Sequence, residues 1–137
     1  MSGTVFRFEM RVYWEDTDAG GVVFYANYLK FFERARTEWL RARGVSQERL
    51  RVDGGAMFIV ADTSVHYRSP ARLDDCLSVS VEVLEARSAS MLIAQQAHCI
   101  LGDERRLLAE GRIRIACVAP GTFRPCRIPT ELLNLMA

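Results

Sequence analysis

Glu15-Asp16-Thr17-Asp18-Ala19-Gly20-Gly21-Val22-Val23-Phe24-Tyr25-Ala26-Asn27-Tyr28 joins two different periodicities. Ahead of it, residues 5–14 alternate. Phe6, Phe8, Met10, Val12 and Trp14 share one face, and Arg7, Glu9, Arg11 and Tyr13 the other, as in a half-buried strand. Thr17 to Gly21 breaks that period and reads as a loop, with Gly20 and Gly21 both free to take positive φ. From Asn27 the spacing becomes helical: Tyr28, Leu29, Phe32, Ala35, Trp39 and Leu40 line one side, and Glu33, Arg34, Thr37, Glu38 and Arg41 cover much of the other. Gly44 is a suitable stop, which predicts a helix of about sixteen residues, roughly 24 Å long. Ser46 is placed to cap a short second helix.

Beyond Gly54-Gly55 the pattern is mostly strand. Residues 56–68, 77–87, 91–101 and 106–118 read as four strands, with a loop over 69–75, a tight connection at 88–90 and a hairpin turn at 102–105. Pro120, Pro125 and Pro129 punctuate the tail, and a last helical turn is expected from Thr130. Short connections favour antiparallel pairing, and one apolar helix needs a sheet to cover it. The expected fold is therefore α+β: an antiparallel five-stranded sheet around a long central helix, in a single domain over residues 1–137. The second face and the edges of such a sheet point to an oligomer.

Composition narrows the function classes. The chain has 137 residues, half of them hydrophobic, and a formal net charge of +1. That balance gives no global basic field for nucleic acid and no acidic tail. Charged residues at Arg7, Glu9 and Arg11 precede any apolar run, so no signal peptide is expected. No run approaches the ~20 apolar residues of a transmembrane segment. The four cysteines, Cys76, Cys99, Cys117 and Cys126, form no C-x-x-C pair and have no histidine at zinc spacing. They read as reduced structural thiols of a cytoplasmic protein, and no metal or cofactor is expected. His66 and His98 lie in strand-like segments and read as hydrogen-bonded structural residues.

The opening stretch carries the chemistry. Paired acids before a helix are commonly caps or a solvated turn. The same pattern can also set a carboxylate beside helix-terminal amides, one for reaction and the others for developing negative charge. Taken alone, the residues leave both readings open. Tyr28 reads as a packing aromatic and Asn27 as a helix starter. Arg68 and Arg72 read as surface ion-pair residues, although a coenzyme phosphate would need such partners.

The motif D-x-D-x-x-G-x-V-x-Y-x-N-Y, here Asp16 to Tyr28, resembles that of the 4-hydroxybenzoyl-CoA thioesterase-like family with the hotdog fold. Phe6-Arg7, Arg11-Val12-Tyr13, Phe32 to Glu38 and Pro70 to Asp75 are similar to its YbgC branch, acyl-CoA thioesterases associated with the Tol–Pal system. The resemblance covers roughly residues 5–118. It implies that Asp18 is the catalytic carboxylate, as nucleophile or general base, and that Asp16 supports it. It implies that the backbone amide of Tyr25 polarises the thioester carbonyl, with Gly20 and Gly21 letting substrate approach. Arg87 and Ser90 match positions that contact CoA. Tyr25 stands where YbgC-branch members often have histidine, and tyrosine there is also seen in the aryl-CoA branch.

The resemblance thus implies hydrolysis of a short-chain or aryl acyl-CoA to free acid and CoA, with acyl-carrier protein as a second possible carrier. It further implies a homodimer or homotetramer with sites between subunits. A non-catalytic acyl-CoA or acyl-carrier-protein binding or scaffold protein of envelope lipid metabolism is the alternative of a different class. A dehydratase or hydratase of the same fold would need a histidine near the helix, and none occurs before His66.

Overall fold

The computed structural model describes residues 5–136. Strand β1 (Phe6–Arg11) is followed by a single 3₁₀ turn (Trp14–Asp16), the long helix α1 (Asn27–Arg41) and the short helix α2 (Gln47–Asp53). Four strands come next: β2 (Met57–Tyr67), β3 (Cys76–Ala86), β4 (Ser90–Leu101) and β5 (Glu104–Val118). Helix α3 (Thr130–Met136) ends the described chain. All pairings are antiparallel in one five-stranded sheet of order β1-β3-β4-β5-β2, as the alternating patterns and short connections predict.

Alternation decides which face of the sheet is dry. Met91, Ile93, Ala97 and Cys99 of β4, Ile113, Ile115 and Cys117 of β5, and Leu77, Val79 and Val81 of β3 are buried. They pack with Tyr28, Phe31, Phe32, Ala35, Trp39 and Leu40 of α1 in one hydrophobic cluster. The sheet therefore wraps the helix, the hotdog arrangement. Gly111 lets the two layers approach, since a Cβ there would lie 3.1 Å from the Phe32 ring and 3.2 Å from the Ser64 carbonyl oxygen. A polar bridge crosses the dry interface. The buried Gln95 amide donates to the carbonyls of Phe32 (3.0 Å) and Ser80 (3.2 Å) and accepts from Arg36 Nη1 at 2.9 Å.

Three expectations need correction. The first strand stops at Arg11, and Trp14 is not a core residue but 79% exposed. The reason is local. Val12 pairs with the loop at Asp74 and Asp75, and the chain then tightens into the 3₁₀ turn, whose Asp16 carboxylate accepts the Tyr13 N–H at 2.9 Å. On α1, Leu29 faces outward and Phe31 takes the core position, because Phe31 completes the i, i+3, i+4 stripe of Tyr28, Phe32 and Ala35. His98 is not hydrogen-bonded through Nδ1, which is buried without a partner among the described residues. Burial and the neighbouring Arg7 and Arg105 lower its pKa.

The stop signals act as read. Gly44 sits at φ +82 past the end of α1, and the Ser46 hydroxyl accepts the Arg49 N–H at 3.4 Å to cap α2. No disulfide joins the cysteines among the described residues, although the sulfurs of Cys117 and Cys126 approach to 3.5 Å. Burial first, then the Cys126 contact, pushes the Cys117 thiol up to about 12.

Candidate active site

The loop between the 3₁₀ turn and α1 folds back on itself and is then tied to the sheet. Asp18 N–H donates to the Val22 carbonyl (2.9 Å) and Gly21 N–H to the Asp18 carbonyl (3.0 Å). Val23 N–H reaches the Ala71 carbonyl at 2.9 Å, and Val22 bridges to Arg72. The loop thus rests on the connection between β2 and β3. The glycines do different things within it. Gly21 takes φ +79, which an L side chain rarely adopts. Gly20 does not use that region. Its place is set by proximity, since a Cβ there would lie 3.2 Å from Asp18 Oδ1.

The two acids have different surroundings. Asp16 is 4% exposed and its carboxylate is engaged by Tyr13 N–H. Its carbonyl oxygen accepts twice, from Phe24 N–H at 3.1 Å and from the Asn27 side-chain amide at 2.8 Å. Asp16 therefore clamps the acidic loop to the turn that opens α1. Asp18 is exposed. Its Oδ1 accepts the Gly20 N–H at 2.8 Å, and Oδ2 has no partner among the described residues.

The turn entering α1 leaves two amides unused. Asn27, Tyr28 and Leu29 donate to Phe24, Tyr25 and Ala26 respectively, whereas the N–H groups of Tyr25 and Ala26 donate to nothing among the described residues. Ala26 occupies the cap position with no side-chain cap. Free amides at a helix start attract developing negative charge. Tyr67 of β2, read from the sequence only as a strand residue, joins this turn: its hydroxyl donates to the Tyr25 carbonyl at 3.1 Å. Beside it runs a groove of 280 Å³ lined by Val23, Tyr25, Tyr28, Tyr67, Arg68, Ser69 and Pro70. Tyr28 reaches this region from the core, and its hydroxyl oxygen accepts the Ala71 N–H at 3.1 Å. Arg68 is paired with Glu110 at 2.8 Å.

Arg87 and Ser90 sit elsewhere. They form the hairpin between β3 and β4, where Arg87 N–H donates to the Ser90 carbonyl at 2.8 Å. The Asp18 loop meets the chain just before β3 and the hairpin follows that strand's last residue. Eleven residues of strand separate them, about 33 Å at the usual rise. One copy of the chain does not bring the two groups together. The Arg87 guanidinium is bridged to Glu85 at 2.7 Å, and Ser90 Oγ accepts from Arg114 at 3.4 Å. The tail adds a cation that sequence reading missed, because Ile128 N–H donates to the Ser88 carbonyl at 2.8 Å and sets exposed Arg127 beside the hairpin.

Among the described residues no helix is long and apolar enough to cross a membrane. Residues 12–135 match the family model described as the thioesterase-like superfamily. The chain is 42% identical over 133 residues to the acyl-CoA thioester hydrolase YbgC of Escherichia coli O157:H7, covering 97% of this chain and 96% of that protein. A probable thioesterase from Bartonella henselae is 30% identical, with a TM-score of 0.81 over 92% of this chain and all of that structure. A 4-hydroxybenzoyl-CoA thioesterase superposes with a TM-score of 0.90 over 97% and 99% of the two chains; at 17% identity this is a likeness of fold.

Proposed function

Because this chain belongs to the thioesterase-like superfamily, in its YbgC branch, we propose that it hydrolyses an acyl-CoA thioester to the free acid and CoA. What carries this reading is one local arrangement. A carboxylate with an uncommitted oxygen, Asp18, lies two residues after the Asp16 carbonyl, which clamps the turn whose two helix-start amides, at Tyr25 and Ala26, are unpartnered among the described residues. A thioester is attacked at its carbonyl carbon while charge grows on its oxygen. Asp18 either adds to that carbon, expelling the CoA thiolate and leaving an anhydride for water to open, or takes a proton from the attacking water. Tyr25 N–H faces the growing oxyanion, and one such donor is worth about 2.7–4 kcal/mol of barrier.

The groove beside Tyr25 suits a short acyl chain or a single aromatic ring, because 280 Å³ lies at the small end of ligand sites. Either CoA or an acyl-carrier protein could present the group. Arg87, Ser90 and Arg127 offer cations and a hydroxyl to the coenzyme phosphates from the far end of β3. A site that uses both ends is completed by a second copy, as homodimer or homotetramer, and the free edge of β2 suits that pairing.

The test is thiol release over a series of acyl-CoA and acyl-carrier-protein thioesters, with wild type and Asp18→Asn in parallel. The expected result is turnover by wild type and a loss of at least about a hundredfold in Asp18→Asn, with its melting temperature preserved. Wild-type turnover in Asp18→Asn removes Asp18 from the reaction. No release by wild type on any thioester removes the hydrolase reading.

A further inference from the structure

We propose that Tyr67 is a positioning residue for this reaction, its hydroxyl holding the peptide that opens α1 so that the Ala26 amide faces the substrate beside the Tyr25 amide. The inference rests on the thioesterase reading and adds a residue to it. A carbonyl oxygen only accepts, so the 3.1 Å contact between Tyr67 Oη and the Tyr25 carbonyl has the phenol as donor. That carbonyl's other partner, Tyr28 N–H, is more distant at 3.3 Å. The peptide unit is planar and trans, so the Tyr25 carbonyl and the Ala26 N–H point in opposite directions. Pinning the first aims the second. A donor on the carbonyl also polarises the whole unit and strengthens its N–H.

The ring is placed for this bond rather than for the core. Tyr67 is 46% exposed, yet its ring meets Tyr25 edge-on at 6.1 Å and Tyr28 at 5.5 Å between centroids. These contacts hold the hydroxyl at the turn across a sequence separation of 42 residues. A phenol is already a donor at neutral pH, and burial first and Tyr25 second raise its pKa further.

Tyr67→Phe keeps the ring and removes only the donor. We expect kcat to fall about three- to tenfold, from weakened polarisation and a freer turn, with KM within twofold and melting unchanged. A fluorotyrosine placed at position 67 alone, a stronger donor, should restore kcat to at least the wild-type value. The Ala26 amide proton, followed by NMR, should move upfield in Tyr67→Phe. An unchanged kcat or an unmoved Ala26 amide overturns the inference, as does an equal loss for the fluorotyrosine protein. Normal wild-type turnover with unaffected Tyr67→Phe sinks only this inference, whereas wild type that releases no thiol sinks it together with the hydrolase reading.

Discussion

Replacing the two acids of the loop by alanine, one at a time, should separate stability from chemistry. Asp16 is 4% exposed, and its carboxylate is the acceptor for Tyr13 N–H. Asp16→Ala strands that amide and removes a hydrogen bond to a charged group, a loss of about 1.5–3 kcal/mol. At roughly 3–5 °C per kcal/mol for a chain of this size, the melting temperature should fall by about 5–15 °C. Asp18 is exposed, and among the described residues its carboxylate accepts only from Gly20 N–H, which water can replace. Asp18→Ala should therefore melt within about 2 °C of wild type, since surface changes of this kind stay near 0.5 kcal/mol. Turnover should behave oppositely. Asp18→Ala should lose about 10²–10⁴ in kcat. Asp16→Ala should retain most activity at temperatures where it is folded, because its backbone carbonyl still holds Phe24 and Asn27. Circular-dichroism melts and thiol release on the same samples read both quantities. An inactive but fully stable Asp16→Ala protein beside an active Asp18→Ala protein would reverse the two roles and refute the reasoning.

The glycine pair should split in the same way. Gly21→Ala forces a Cβ into φ +79 and should cost about 1–2 kcal/mol in a denaturant titration, whereas Gly20→Ala should leave stability alone but displace the Asp18 carboxylate and lower kcat. His98 has a pKa lowered first by burial and then by Arg7 and Arg105. Below its unfolded value near 6.5 the unfolded chain binds the proton first, so stability falls with pH. The drop in melting temperature between pH 7.5 and 5 should be smaller in His98→Gln, and an identical drop would count against that account. Cys117, pushed up to about 12 by burial and by Cys126, should resist iodoacetamide at pH 8 in the folded protein and react once urea unfolds it; mass spectrometry of the labelled peptide reads this directly.

Much of the fold is legible in the chain because periodicity is local. The helix is expected from Asn27 for about sixteen residues and runs Asn27–Arg41, with Gly44 and Ser46 acting where their types predict. The strands of the second half fall within a few residues of their alternating runs. Trp14 fails because alternation says only which face a side chain would take if the strand continued. A carboxylate two residues further on ends the strand instead. Leu29 fails because the apolar stripe of α1 is narrower than its apolar content, and Phe31 fills it.

By itself the sequence determined the order of elements, much of the core-facing side of the strands and of α1, and a loop with two acids and two glycines ahead of a helix. Those properties depend on residues within one or two turns of each other. Only the tertiary structure decided which acid is enclosed and which is open, that Tyr67 reaches the helix start from β2, and that Arg87 and Ser90 stand a strand's length from Asp18. The Tyr67 contact joins residues 42 apart, the Asp18 loop is docked on Ala71 and Arg72, and Asp16 is enclosed where its loop folds back on the turn that opens α1. Such contacts depend on how sheet and helix pack, not on the spacing of residues along the chain.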